Sequence, residues 1–252
     1  MIASLPMYAR ASNRAAHDTL WVLIRDGLRA RDIPAPDRLD HDIDHWDSWG
    51  HPDLVLGQIC NLPLRSRFAG HVTLIGAADY GLKECPAGFY RSHFVVQRDC
   101  VANQPDMLFD ARFVLNDTLS QSGYASAQIW AAKHGNAFRA HLKTGSHRAS
   151  IAAVANGAGD IASIDAQTWR IEEAENPDTS QLKIIGHTDI SPGMTFITAK
   201  GHDPAPYFAA IREAIQNLDS LTAQKLGLKA IVALPSQAYD LPIPKEPVEI
   251  DG

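Results

Sequence analysis

Apolar, strand-like runs alternate with amphipathic, helix-like runs through the middle of the chain. Side chains return to the same face every second residue in a strand and every 3.6 residues in a helix, so the two patterns can be told apart. They predict strands at residues 111–116, 137–142, 160–165 and 182–188, with helices at residues 122–135, 146–157 and 166–174. An order of βαβαβαβ predicts a parallel sheet covered by helices.

The flanking segments continue the α/β pattern. A helix is predicted from Ser12 to about Arg31, ended by Pro34, and another begins at Asp203 and Pro204. Strands are predicted at residues 1–8, 53–58, 71–80 and 89–97. The proline-rich residues 241–252 are predicted to be an extended tail.

Composition narrows the possible functions. The 252 residues are 45% hydrophobic and 21% charged, which is ordinary for a globular protein. A formal net charge of -6 argues against a broad nucleic-acid surface, although a local anion site remains compatible with it. No apolar run approaches the length of about eighteen residues that a membrane helix needs, so no membrane insertion is expected.

Cysteine and histidine give no metal pattern. Cys60, Cys85 and Cys100 form no CxxC pair, so a zinc ribbon is not expected. The densest histidine segment, DHDIDHW at residues 40–46, matches no ligand spacing and is predicted to be a solvated loop. No metal and no cofactor are expected.

The N-terminal segment MIASLPMYARASN lacks a basic region followed by a long apolar core. It is not a secretory signal as written. The expectation is either a mature exported chain or a protein that stays in the cytoplasm.

Two loops rich in hydroxyl residues and glycine precede two of the predicted helices. They are NDTLSQSGY at residues 116–124 and TGSHRAS at residues 144–150. In a parallel sheet all strand-to-helix turns lie at the carboxyl edge, where ligands of open α/β sheets bind. These loops, and the turn after Asp165, are therefore predicted to lie side by side.

The chemistry of the loops suits an anion. Helix N-termini have unsatisfied N–H groups and a partial positive charge. Hydroxyl or imidazole donors would be added by Ser120, Ser122, Thr144, Ser146 and His147. Each serine could instead simply cap its helix, which is the commoner role, and the sequence leaves both readings open.

No catalytic motif is present. The chain lacks a GxSxG elbow, a Walker pattern and a dinucleotide fingerprint that follows a strand. Asp165, at a predicted strand end, could act as a general base, bind a ligand group, or cap the following helix.

The same segments resemble a known family. Residues 116–124 and 144–169 are similar to the Ser-x-Ser-Gly turn, the Gly-Ser-His turn and the Asp-ended strand of phosphate/phosphonate-type substrate-binding proteins of ABC transporters. Residues 53–65 and 85–98 resemble first-lobe segments of that family. Gln121 stands where the family often has a small hydroxyl residue.

The resemblance implies a type II periplasmic-binding-protein fold. Each of two lobes would be a mostly parallel sheet flanked by helices, and two crossing strands would join the lobes. Lobe one would comprise residues 1–92 and 193–252, and lobe two residues 93–192. The ligand would lie in the cleft, with Tyr8 and Gln58 facing the site residues of lobe two, which are Ser120, Gln121, Ser122, Ser146, His147 and Asp165.

The implied function is non-catalytic binding of phosphate, phosphite or a phosphonate-like anion for an ABC transporter permease. The location would then be periplasmic, or cytoplasmic if Met1 is the native start. The alternative is a cytosolic enzyme or ligand sensor on the same fold, such as a thiamine-precursor synthesis protein. Cys60 and Cys85, in neighbouring lobe-one segments, are expected to lie close together. They would be either free buried thiols, which the odd number of cysteines favours, or a disulfide in an oxidising compartment.

Overall fold

A computed structural model describes residues 1–247. The strands are β1 (Ile2–Ser4), β2 (Leu54–Ile59), β3 (Val72–Asp79), β4 (Phe89–Tyr90), β5 (Ser92–Gln97), β6 (Phe113–Leu115), β7 (Ala140–Lys143), β8 (Ile161–Asp165), β9 (Leu182–His187), β10 (Ser191–Pro192), β11 (Thr195–Ala199) and β12 (Ala230–Val232). The helices are α1 (Arg14–Arg29), α2 (His45–Trp49), α3 (Asn61–Ser66), α4 (Ser126–Lys133), α5 (His147–Ala155), α6 (Ala166–Glu175), α7 (Pro204–Gln216) and α8 (Ser220–Leu226).

The chain forms two compact units. The first combines Met1–Phe89 with Pro192–Tyr239, and the second combines Tyr90–Ser191 with the tail from Asp240. Residues 248–252 of the tail lie outside the described residues. The tail was predicted to belong to the first unit, but its residues 240–247 group with the second. There the hydroxyl of Tyr124 donates to the carbonyl of Lys245 at 2.6 Å, which holds the tail against the unit.

The sheet of the first unit has the order β1-β2-β11-β3-β12. Strands β1 and β2 are parallel, whereas β11 runs antiparallel to both of its neighbours. Every residue of β11 is buried, as expected for a strand inside a sheet.

Helix α1 packs on the first unit as its apolar pattern predicts. Leu20, Trp21, Ile24 and Leu28 recur on one face of the helix, and all are buried. The helix comes very close to α7, since a β-carbon on Gly27 would lie 3.2 Å from the β-carbon of Ala210.

The sheet of the second unit has the order β7-β6-β8-β5-β9. Strands β6, β7 and β8 are parallel neighbours, as predicted. Strand β9 does not adjoin β8, because β5 lies between them and is antiparallel to both. Phe94, Val95 and Val96 of β5 are fully buried, as expected for a strand in the middle of a sheet that is covered on both faces.

Helices cover both faces of this second sheet. On one face Phe94, Phe113 and Phe138 belong to the apolar cluster beneath α4. On the other, Val95 and Ile164 belong to the cluster that includes residues of α5 and α6. The alternation of adjacent residues Phe94 and Val95 between the two clusters is the two-residue period of a strand.

Two sequence-based predictions are wrong in detail. The predicted solvated loop at residues 40–46 ends in helix α2, because Asp44 accepts a bond from the N–H of Trp46 at 2.8 Å and Trp49 is buried. Strand β7 begins at Ala140 rather than at residue 137. The backbone of Phe138 is instead held by the side-chain amide of Gln128 through two hydrogen bonds.

Candidate functional site

Three helical segments of the second unit start at the carboxyl edge of its sheet. Strand β6 leads to a π-helical turn at Gln121–Ala125 that continues into α4. Strand β7 leads to α5, and β8 leads directly to α6. Because β6, β7 and β8 are parallel, their carboxyl ends share one edge, and the three following segments begin there.

The π-turn is closed by a wide backbone hydrogen bond. The N–H of Ala125 donates to the carbonyl of Ser120 at 3.0 Å, which spans five residues. The hydroxyl of Ser120 accepts from the N–H of Gly123 at 3.0 Å and so caps the turn. Single π-turns inside helices are frequently found at functional sites.

The structure brings Ser120, Ser122 and His147 into one hydrogen-bonded series. The hydroxyl oxygen of Ser122 lies 2.7 Å from Nε2 of His147 and 3.4 Å from the hydroxyl oxygen of Ser120. The two hydroxyl-rich loops therefore meet through side chains. A hydroxyl or an imidazole N–H in this series can turn to donate to an anion.

Ser146 and Asp165 both cap helices. The hydroxyl of Ser146 accepts from the N–H of Ala149 at 3.1 Å, and the carboxylate of Asp165 accepts from the N–H of Thr168 at 2.8 Å. Asp165 is fully buried. The capping role that the sequence left open is thus present for both residues.

Gln121 is almost fully buried, and its amide donates to the hydroxyl of Ser126 at 2.9 Å. This bond runs from the π-turn to the first residue of α4. Gln121 therefore stabilises the junction between the two helical segments.

Two glycines of the loops have different physical roles. A β-carbon on Gly123 would lie 1.7 Å from Oδ1 of Asn116, so this position has no room for a side chain. Gly145 has open space around it, but its φ is +84°, which L-residues with side chains rarely adopt. Gly123 is needed for close packing, and Gly145 is needed for its backbone conformation.

Asn116 and Ser163 contact the loops of the candidate site, and the sequence analysis did not single them out. The carbonyl of Asn116 accepts from the N–H of Gly145 at 2.8 Å, while its side chain packs against Gly123. Ser163, on β8, donates its hydroxyl to the carbonyl of Ser122 at 2.6 Å. Each of the two residues had one signal in the sequence. Asn116 is a polar residue at the end of a predicted strand, and Ser163 is a polar residue within another.

Tyr8 and Gln58 lie in the first unit and are buried. The amide of Gln58 donates to the hydroxyl of Tyr80 at 3.4 Å, and the rings of Tyr8 and Tyr80 meet edge to face at 4.9 Å between centroids. These three side chains form one polar and aromatic cluster. The predicted contact of Tyr8 and Gln58 with a ligand stays a prediction.

Three further findings concern the part of the chain that the structure describes. No group of three or more His, Cys, Asp or Glu side chains within residues 1–247 is arranged to hold a metal. No helix in that range has the length and apolar character needed to cross a membrane. Cys60, Cys85 and Cys100 are thiols and are partly buried.

A protein family matches most of the chain. The family described as ABC transporter, phosphonate, periplasmic substrate-binding protein matches residues 61–239. No curated protein sequence matches the chain.

Solved structures share the fold at low sequence identity. PhnD1 from Prochlorococcus marinus, in complex with methylphosphonate, is 18% identical with a TM-score of 0.69, over 95% of this chain and 94% of that one. A binding protein component of an ABC phosphonate transporter from Pseudomonas aeruginosa is 16% identical with a TM-score of 0.66, over 94% and 82%. A Xanthomonas citri protein bound to ATP is 15% identical with a TM-score of 0.66, over 94% and 92%. The predicted periplasmic-binding-protein fold is confirmed.

Proposed function

Since the chain belongs to the ABC-transporter family of phosphonate periplasmic substrate-binding proteins, we propose that its second unit binds a small tetrahedral oxyanion through Ser122 and His147. Members of this family are substrate-binding transport proteins and not enzymes. The ligand class is a phosphonate or a phosphate-like anion.

One observation supports the site above the others. Ser122 and His147 come from different loops, and their side chains meet at 2.7 Å at the sheet edge where the π-turn and α5 begin. The first N–H groups of a helix and its dipole favour an anion. Hydroxyl and imidazole donors supplement these N–H groups, so the local environment favours negative charge despite the acidic chain.

The remaining predicted residues have distinct proposed roles. Ser120 and Ser146 would shape the two helix starts by capping them, and Gln121 would fix the junction of the π-turn with α4. Asp165 would accept a hydrogen bond from a hydroxyl or ammonium group of the ligand.

The ligand class also draws on a neighbour of the same fold, because the Prochlorococcus protein was solved in complex with methylphosphonate. A phosphonate has three acceptor oxygens on one phosphorus atom, and several donors are needed to bind it. The hydroxyls of Ser120 and Ser122 and the imidazole of His147 supply donors of the required kind within one hydrogen-bonded series.

The family is periplasmic and works with a transporter. We extend this to the chain itself: it would bind its ligand in the periplasm and deliver it to an ABC permease. Fractionation of cells that express the native gene tests the location. Recovery of the protein only from the cytosol would contradict the location and favour the sensor or enzyme alternative.

The binding proposal is tested by thermal unfolding with phosphate, phosphite, methylphosphonate, sulfate and thiamine precursors. At one hundred times the dissociation constant, a ligand stabilises the folded protein by about 2.7 kcal/mol. The expected result is a rise in melting temperature with a phosphorus oxyanion that Ser122→Ala reduces. Ser180→Ala, which removes a bond to the carbonyl of Pro177, is a matched control. No shift with any phosphorus oxyanion would contradict the proposal.

A further inference from the structure

The α-carbon of Gly123 is in unusually close contact with two other residues. A β-carbon there would lie 1.7 Å from Oδ1 and 2.8 Å from Cγ of Asn116, and 3.2 Å from Cε1 of His147. Real β-carbons essentially never come within 3.0 Å of a non-bonded heavy atom, so the Asn116 side chain occupies the place where a residue-123 side chain would be. Asn116, Gly123 and His147 therefore pack against each other at one point.

Asn116 also holds the second loop through its backbone. Its carbonyl accepts from the N–H of Gly145 at 2.8 Å, and the preceding carbonyl of Leu115 accepts from the N–H of Thr144 at 2.9 Å. One residue thus touches the π-turn with its side chain and the 144–147 loop with its main chain. The distance between the loops depends on the size and placement of this residue.

The chemistry of Asn116 is unusual for a spacer. Its Oδ1 is buried and has no hydrogen-bond partner among residues 1–247. Burying an acceptor in this way is unfavourable, and an apolar side chain of similar size would avoid that cost. The polar side chain therefore calls for an explanation other than the stability of the fold.

We propose that Asn116 is a positioning residue that fixes how the Ser122 hydroxyl and the His147 imidazole are placed relative to each other, and thereby determines which oxyanions this pair accepts. This inference rests on the proposed function. A donor set fixed by packing binds a ligand of matching size and shape without first having to be ordered. When the spacer is shortened, the loops relax, and the site loses discrimination as well as affinity.

The test compares binding of methylphosphonate and phosphate by calorimetry in four proteins: the parent, Asn116→Ala, Gly123→Ala and the double variant. Gly123→Ala is expected to lose affinity about a hundredfold, because the new methyl group displaces Asn116 and His147. The double variant is expected to regain about tenfold of that loss, because the overlap with Oδ1 and Cγ is gone. Gly50→Ala, where the nearest atom is 3.5 Å away, is the control for adding a methyl group.

A second pair of variants serves if Gly123→Ala does not fold. Asn116→Asp keeps the shape of the spacer and adds negative charge, so it should weaken both ligands alike and leave their affinity ratio unchanged. Asn116→Ala should change that ratio about fivefold or more, since it alters the placement of the Ser122 and His147 donors. If Asn116→Asp and Asn116→Ala change the ratio of the two affinities equally, the inference is overturned.

The outcomes separate this inference from the proposed function. If the parent binds neither ligand, the proposed function fails, and the positioning role is then judged by the NMR signal of the His147 Cε1–H group. The chemical shift of that signal should change in Asn116→Ala and remain unchanged in Asn217→Ala. If the parent binds but Asn116→Ala changes only the melting temperature, Asn116 has a structural role and the inference is wrong.

Discussion

The hydroxyl oxygen of Ser122 lies 2.7 Å from Nε2 of His147, and this contact joins two loops that are 25 positions apart in sequence. Either atom can be the donor, depending on the state of the imidazole. When the ring is protonated, Nε2 must donate to the serine, and the serine hydroxyl proton is then available to a ligand. The protonation state of His147 thus determines the direction in which the hydroxyl proton of Ser122 can point.

The two serines at the helix starts are expected to behave differently. Ser122→Ala removes a donor to a charged ligand, and we expect a loss of binding free energy of about 1.5–3 kcal/mol with little change in stability. Ser146→Ala removes the cap of α5 and should lower the free energy of unfolding by about 1 kcal/mol. Calorimetric titration and urea unfolding of both variants measure these effects. Unchanged affinity in Ser122→Ala would support a purely structural hydroxyl.

Affinity should depend on pH through His147. An imidazolium attracts an anion more strongly than the neutral ring does, so binding is expected to weaken as the pH rises through the range in which the ring loses its proton. His147→Asn keeps a donor and should flatten this dependence. Phosphates and phosphonates titrate in the same range, so the comparison also needs sulfate, if it binds. Identical pH profiles for the variant and the parent with every ligand would exclude His147 from the site.

The sequence predicted the local parts of the second unit well. The strand-to-helix turns after β6, β7 and β8 follow from hydrophobic periodicity and from glycine and serine at the turns, which are local signals. The placement of β5 was not predicted, because Ser92 pairs with Asp165 across a long stretch of chain. The same holds for Asn116, whose contact with Gly123 depends on how the loops fold.

Stability should fall in mild acid because of His93. Burial, followed by the nearby His187 and Arg91, lowers the pKa of His93 to about 4. A histidine with a lower pKa in the folded state takes up a proton on unfolding, so stability is lost as the pH falls from about 6.5 towards 4. The loss is about 3 kcal/mol at most.

The variant His93→Gln should remove most of that pH dependence. Chemical unfolding at several pH values measures it, and His202→Gln, at an exposed position, is the control. An equal loss of stability in acid for the His93 variant and the parent would show that other groups cause it.

The tail should loosen when its bond to the π-turn is removed. Burial, with a contribution from Glu246, raises the pKa of Tyr124 to about 12, so its hydroxyl remains a donor to the carbonyl of Lys245 at all physiological pH values. Tyr124→Phe should cost about 1 kcal/mol and increase amide exchange in residues 240–247 about fivefold. Tyr239→Phe is the matched control in the first unit, and equal exchange in both variants would contradict the prediction.

Cys60 and Cys85 are thiols in the structure, and their predicted closeness is testable by oxidation. If the two thiols are as close as predicted, protein recovered from an oxidising compartment should form a Cys60–Cys85 bridge, because such compartments favour disulfides. Alkylation without reductant, followed by mass spectrometry, should then label Cys100 alone. Three labelled thiols would exclude the bridge.

The position of β11 has a consequence for synthesis on the ribosome. This strand forms the middle of the first sheet, between β2 and β3, yet it comes from Thr195–Ala199. Until those residues emerge, the facing edges of β2 and β3 have no partner strand and are open to wrong pairing. All five strands of the second sheet lie within residues 92–187, so that sheet is complete earlier. The sheet of the second unit, which comes from the middle of the nascent chain, should therefore form before the sheet of the first unit, against the usual N-terminal-first order.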